Sequence, residues 1–244
     1  MNLTLTLATA RRILAQLRHD RRTVVMLVAV PSLLMVLLRF VFNDELVFSH
    51  TAPALLGVFP FLIMFLITSI TTLRERTTGT LERLMTMPIG RLDLLFGYAL
   101  AFGAIAVVQV GLAAGISLAW LGLDITGSIG MLLLIAVLDA LLGMALGLFV
   151  SAFARTEFQA VQFMPVFVLP QILLCGLFMP RGRMGWVLNW LSDVMPLSYA
   201  VEGLSRVTTS GTVDATLLRN LVIVAACALL ALILGAATLR RRTP

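Results

Sequence analysis

The chain contains no lysine, only two histidines, two cysteines and two tyrosines, and 12% of its 244 residues are charged. Each scarcity removes a class of chemistry. Without lysine there is neither the Gly-Lys-Ser/Thr end of a phosphate-binding P-loop nor an amine for Schiff-base catalysis. There is no His-Glu-x-x-His and no Gly-x-Ser-x-Gly. His19 and His50 fall on opposite predicted sides of a membrane, which argues against a His-based metal site. Cys175 and Cys227 lie inside apolar runs, where thiols act as packing residues, so no disulfide is expected. The chain is expected to bind no cofactor and to catalyse nothing alone. If ATP is used, another chain brings it.

What the sequence has in abundance is apolar length. Sixty per cent of its residues are hydrophobic and its mean hydropathy is +1.03, while its charged fraction is half the roughly 25% of a soluble domain. Runs near the roughly 20 residues that cross a bilayer recur along it. They predict an all-α polytopic membrane protein forming a single domain, 1–244, with six spans near 23–42, 54–73, 93–121, 128–154, 160–179 and 217–239. A barrel is excluded because the runs are continuously apolar and do not alternate. No short apolar stretch with a small-residue cleavage site precedes the first span, so that span is expected to remain in the membrane.

The arginines set the orientation. Arg11, Arg12, Arg18, Arg21 and Arg22 precede span one; Arg74, Arg76, Arg83 and Arg91 lie between spans two and three; Arg155 follows span four; and Arg240, Arg241 and Arg242 follow span six. By the positive-inside rule these thirteen of eighteen mark the cytoplasmic side, with both termini there. The net charge of +6 then anchors the chain at the inner leaflet and is no nucleic-acid footprint. Before span one, Leu3, Leu7, Ala10, Ile13, Leu14 and Leu17 share a helical stripe, flanked by Arg11, Arg18 and Arg22, with Arg12 roughly opposite. Residues 1–22 are expected to form an amphipathic helix in the interface plane. It is either an inner-leaflet anchor or an elbow that helps seat a cytoplasmic subunit.

Residues 74–92 form a charged island between two apolar runs. A short helix there, with Leu81, Leu84 and Met85 exposed, would suit a cleft on a soluble partner, apolar anchors giving grip and charges giving register. A solvated loop between spans is the plainer alternative.

Three segments carry a family resemblance. Glu75-Arg76-Thr77-Thr78-Gly79-Thr80-Leu81-Glu82-Arg83-Leu84, followed by Met87-Pro88-Ile89, resembles the cytoplasmic-loop motif of ABC transporter type 2 permeases. Leu169-Pro170-Gln171-Ile172-Leu173-Leu174-Cys175-Gly176-Leu177-Phe178-Met179-Pro180 resembles that family's fifth-span exit, with Cys175 where a small polar residue such as serine is usual. Met195-Pro196-Leu197-Ser198-Tyr199-Ala200-Val201-Glu202-Gly203-Leu204 resembles its segment before the last span. The small bacterial drug-exporter permeases look most similar.

The resemblance implies the following. Two permeases, identical or paired with a relative, associate with two separate ATP-binding subunits that hold ATP and Mg. The loop bearing Glu75, Arg76, Thr77, Gly79, Thr80, Leu81, Glu82, Arg83, Leu84 and Pro88 is the coupling helix docked on the ATPase. A re-entrant hairpin within 180–216, with Trp186, Trp190, Pro196, Tyr199 and Glu202, caps the outer exit. The aromatics suit a membrane interface on independent grounds.

Other residues invite readings of their own. Arg155 and Glu157, in the turn after span four, offer either a second ATPase contact or a plain helix cap. Asp139 sits midway along span four, where a charge costs at least ~2.5–3.5 kcal/mol. It marks either the transport path or a packing position, with Gln109 and Gln162 as candidate partners. Gly111/Gly115 and Gly143/Gly147 are small-xxx-small pairs expected to pack helices within one permease. Arg39 is expected to snorkel. The expected function is export of an amphipathic small molecule, drug or lipid-like, across a bacterial cytoplasmic membrane. Alternatives are polysaccharide or polymer export by the same family, and a non-transporting accessory or immunity membrane protein. Intramembrane catalysis has only Asp139 to offer and lacks a second aligned group.

Overall fold

Short polar residues write the helix boundaries. The computed structural model describes residues 3–86, 90–210 and 213–238, excepting the side chains of Arg22, Leu81, Glu82, Met85 and Arg91. The first helix, α1 (Leu3–His19), gives way to α2 (Arg21–Phe42) at Asp20. That carboxylate accepts from Thr23 N at 3.2 Å and Thr23 Oγ1 at 2.7 Å, satisfying donors that open a helix. Asn43 ends α2 in the left-handed region, φ 45°, as a C-terminal stop requires. Asp44 then starts α3 (Glu45–Thr77), accepting from Leu46 N at 2.8 Å and Val47 N at 3.3 Å.

Hydropathy predicts the second span at 54–73, but α3 has 33 residues. That is about 50 Å of helix, well beyond the ~30 Å hydrocarbon layer. Hydropathy sees only the part that lipid covers, so Glu45–Pro53 and the turn at Arg74–Thr77 escaped it. Gly79, at φ 72°, turns the chain into the short α4 (Thr80–Thr86). Next come α5 (Arg91–Ala119) and α6 (Ile129–Val150), the latter capped by Ser128 Oγ on Met131 N.

The fifth apolar run is two helices: α7 (Glu157–Phe167) and α8 (Leu169–Leu174) meet at Val168. Pro165 and Pro170 supply no N–H to the ladder there. The run stops at Leu174 and not near 179, so Cys175 follows the helix instead of lying inside it, and Gly176 turns at φ 97°. After one 3-10 turn come α9 (Trp186–Val194), α10 (Pro196–Thr209) and α11 (Ala215–Thr238).

Among the described residues there is no strand, and six stretches are long and apolar enough to cross a membrane: Thr23–Phe42, Glu45–Thr77, Leu92–Ala119, Ile129–Val150, Glu157–Leu174 and Ala215–Thr238. The protein is a multi-pass membrane protein. Its core centres on α3 against α6, with α5, α10 and α11 packed around them. Gly143 and Gly147 explain the closeness: a Cβ there would stand 2.2 Å from Phe61 O and 2.3 Å from Phe65 O. The expected intrachain packing holds for this pair. A Cβ on Gly111 or Gly115 would meet nothing within 4 Å, so that pair packs no helix of this chain among the described residues.

Candidate functional site

Consecutive helical residues point about 100° apart, so the last turn of α3 reaches in several directions. Arg74 turns toward α7, its Nε 2.9 Å from Glu157 Oε1 and its Nη2 3.3 Å from Oε2. Both side chains are about half exposed. Glu75 turns the other way, into the protein. Arg12 of α1 donates to it through Nη1 and Nη2, at 3.3 and 3.5 Å. Of the Glu75 side chain only 10% is exposed, against 25% of Arg12. Burial strips both charges of water, and the paired geometry offsets only part of that cost. Arg12, read from the sequence as standing away from the apolar stripe, is therefore half-buried and structurally committed.

The rest of the island is more open. Arg76 is half-buried, and its Nε and Nη2 have no hydrogen-bond partner among the described residues. Thr77 and Thr78 bond back to Arg74 O, at 3.1 and 2.8 Å, and Thr78 Oγ1 lies 3.1 Å from Thr80 Oγ1. Gly79 has open space around it, so its left-handed backbone, not crowding, demands glycine. Arg83 is exposed on α4. Leu84, expected to be exposed, is half-buried and packs on the core, because α4 lies against the end of α3. The side chains of Leu81 and Glu82, and all of Pro88, lie outside the described residues, as do Arg240 to Arg242.

Helix α1 touches both roots of this loop. Beyond Arg12–Glu75 on α3, it packs on α5 at Gly97, where a Cβ would come within 2.6 Å of Thr9. Arg155 is exposed, and its backbone N donates to Gln159 Oε1 at 2.9 Å. Thr156 caps α7. Glu157 is engaged by Arg74, a link that the sequence did not reveal.

A cavity of about 620 Å³ opens beside this cluster, between α1, α2 and α3. Met26, Val30, Ile63 and Ile67 give it an apolar wall, while Gln16, Thr23, Thr71 and Arg74 contribute a polar rim.

At the other end of the fold, α9 and α10 make a hairpin held by a chain of charges. Arg181 reaches both Asp193 and Glu202, the latter at 2.9 Å. Glu202 also accepts from Arg206 at 3.0 Å, and Arg206 meets Asp214 at 3.1 Å. Arg181 stacks over Tyr199 at 5.1 Å, whose hydroxyl donates to Asp193 O at 2.7 Å. Pro196 opens α10, needing no N–H there. The two helices differ in burial: α10 is mostly buried against α3, α6 and α11, while Trp186 and Trp190 on α9 are 84% and 65% exposed. Near the start of α3, Arg39 donates to Leu121 O at 3.1 Å and pairs with Glu45 at 3.0 Å.

Asp139 is fully buried on α6, close to Gly57 of α3 and Leu204 of α10. Its oxygens have no hydrogen-bond partner among the described residues. Neither candidate partner bonds it: Gln162 is exposed, and Gln109 is buried with its own amide unsatisfied. Asn220 and the Tyr98 hydroxyl are buried and unsatisfied too. These two were missed by sequence reading, although a polar residue inside a predicted span is itself a signal. No group of His, Cys, Asp and Glu among the described residues is placed to hold a metal.

The model of the ABC-2 type transporter family matches residues 4–208, which include α1, the island, Asp139 and most of the hairpin. The chain is 26% identical over 194 residues to the probable multidrug ABC transporter permease YbhS of Escherichia coli, covering 79% of this chain and 52% of that one. It is 26% identical over 141 residues to the linearmycin resistance permease protein LnrN of Bacillus subtilis, covering 58% and 36%. It is also 26% identical over 160 residues to ABC transporter G family member 20 of Dictyostelium discoideum, covering 66% and 22%. The chain thus spans about half the length, or less, of these relatives. The match over 4–208 and the multi-pass helical fold lead to one statement: the chain belongs to the ABC-2 type transporter family.

Proposed function

We propose that this chain is the membrane-spanning permease subunit of an ATP-driven exporter in a bacterial cytoplasmic membrane, with the arginine-rich end of the fold in the cytoplasm. Two ATP-binding subunits, made as separate chains, supply ATP and Mg. A second permease, a copy or a relative, completes the pathway. The cargo is an amphipathic small molecule, drug or lipid-like, taken from the cytoplasm or inner leaflet. The observation that carries this reading is the family match across the island and most of the hairpin, joined to relatives named for multidrug transport and linearmycin resistance.

The geometry supports a transmission route. The loop from Thr77 through α4 docks on the ATPase, and α3 runs from that loop, as one helix, into the contact with α6. A displacement at α4 therefore moves α3 directly, α7 through Arg74–Glu157 and α1 through Arg12–Glu75. The cavity beside this joint pairs an apolar wall with a polar rim, which suits an amphiphile.

The test is co-purification of the tagged chain from its native membrane, with mass spectrometry and an ATPase assay. A Walker-containing subunit in near-stoichiometric yield, with hydrolysis, is expected. Recovery of the chain without any ATPase from intact membranes would sink the exporter and favour a binding or immunity role.

A further inference from the structure

On the side of α1 opposite its buried stripe lies a groove of about 740 Å³, lined by Arg11, Leu14, Ala15, Arg18, His19 and Arg21. Arg11, Ala15 and Arg18 follow one another at four- and three-residue steps, so they stand in one row. Arg21, the first residue of α2, closes the row at the elbow. His19 is held at that end by its Nδ1 contact of 2.7 Å to Ala15 O. No carboxylate lines the groove. Among the described residues none of Arg11, Arg18 and Arg21 makes an ion pair, whereas their neighbour Arg12 is committed to Glu75. Three guanidinium groups lining one groove that has no carboxylate in its wall favour an anion with several acceptor oxygens, such as a phosphate.

The surroundings are apolar on the side that leads to the membrane. Leu7 and Leu14 on α1, and Val25 on α2, are all more than a third exposed. A phosphate among the arginines with hydrocarbon against these residues is the outline of a membrane lipid. We infer that this groove is a discrete binding site for an anionic glycerophospholipid, its phosphate held by Arg11, Arg18 and Arg21 and its acyl chains lying along α1 and the start of α2. The assignment is independent of the transport reading. It differs from general attraction to a charged leaflet in naming one lipid per chain and three residues that hold it.

Native mass spectrometry of the purified full chain, titrated with phosphatidylglycerol or phosphatidylcholine, tests it. One phosphatidylglycerol is expected to bind in preference to phosphatidylcholine. The R11Q/R18Q/R21Q chain is expected to bind it on the order of a hundredfold more weakly, each cation contributing about fivefold at a charged surface. The R11K/R18K/R21K chain keeps the charges and holds the lipid. Wild-type binding of phosphatidylglycerol by the neutral variant, or equal binding of both lipids by the wild type, overturns the assignment. Displacement of the lipid by millimolar inorganic phosphate also overturns it, by showing that the site reads a soluble anion. Unchanged lipid binding with lost co-purification of an ATP-binding subunit gives the groove to a protein instead. Should the neutral variant fail to fold, ionic strength decides: affinity that does not fall as salt is raised refutes an electrostatic site.

Discussion

The long helix α3 is held in two ways along its length. In its middle, Gly143 and Gly147 of α6 lie so close that the Phe61 and Phe65 carbonyls leave no room for a methyl group. At its last turn the contacts are two ion pairs to separate elements, Arg12–Glu75 to α1 and Arg74–Glu157 to α7. Backbone-to-backbone packing is unforgiving, and a pair of helices so joined moves as one body. Ion pairs between long side chains tolerate ångström-scale shifts, and their strength varies with exposure. Under the proposed transmission route, the middle of α3 would carry a displacement and its end would share one among neighbours.

The largest effect expected from breaking this contrast is at the glycines. Gly143→Ala or Gly147→Ala adds one carbon where the nearest atom is a carbonyl oxygen barely over 2 Å away. The helices must separate, at a cost of about 3 kcal/mol or more. Thermal unfolding in detergent should show a large drop in midpoint for each variant. An unchanged midpoint would mean that α3 and α6 slide past each other freely, and the rigid-body reading of the middle would be lost.

Next in size is the buried pair. Glu75→Ala leaves the Arg12 guanidinium half-buried without its carboxylate, a loss of about 1–3 kcal/mol. Within the proposed transporter the same change should lower substrate-stimulated ATPase activity more than basal activity, since α1 no longer follows α3. Swapping the charges, R12E together with E75R, should recover part of both losses, and a double-mutant cycle isolates the coupling. If the swap is no better than E75A alone, the pair does not join the two helices.

How much of this was legible beforehand depends on what each signal measures. Hydropathy placed all six spans because lipid imposes apolar length, and it missed the start of α3 because Glu45 to Pro53 is helix that lipid need not cover. The kinked fifth span was foreshadowed by Pro165 and Pro170, yet only the structure shows the run ending at Leu174. The island was legible as a helical loop, but not that Glu75 and Leu84 turn inward, since those directions depend on where α1 lies and on α4 lying against the end of α3. Long-range partners carry no local pattern: Arg12 and Glu75 are 63 residues apart, Arg74 and Glu157 are 83 apart, and nothing in either segment announces the other. Asp139 was legible as costly from its position alone, and its surroundings were not.

The exposed pair sharpens the comparison from the weak side. Arg74 and Glu157 are each more than half exposed, so Arg74→Ala or Glu157→Ala should cost only about 0.2–1 kcal/mol. Raising ionic strength should erase the difference between wild type and either variant, while leaving the Glu75→Ala defect largely in place. A salt-resistant loss at Arg74 would show that this contact is less exposed in the assembled protein than in the single chain.

The smallest effect is expected from the same substitution made at the other glycine pair. Gly111→Ala on α5 places its new carbon in open space, with nothing within 4 Å. Within one chain there is no clash to relieve, and alanine is the better helix former by up to about 1 kcal/mol, so the midpoint should hold or rise slightly. Set beside Gly143→Ala, one chemical change in one kind of motif should give opposite signs, which isolates close packing from the motif itself. Gly111 and Gly115 lie in the same span as the exposed Val107, Val108 and Leu112, a face that lipid or a second permease must cover. The readout therefore includes self-association by crosslinking in membranes. Unchanged dimer yield leaves this face to lipid. A dimer lost on adding a single methyl group would place the glycines of α5 at the seam between permeases, where backbone approach matters as it does between α3 and α6.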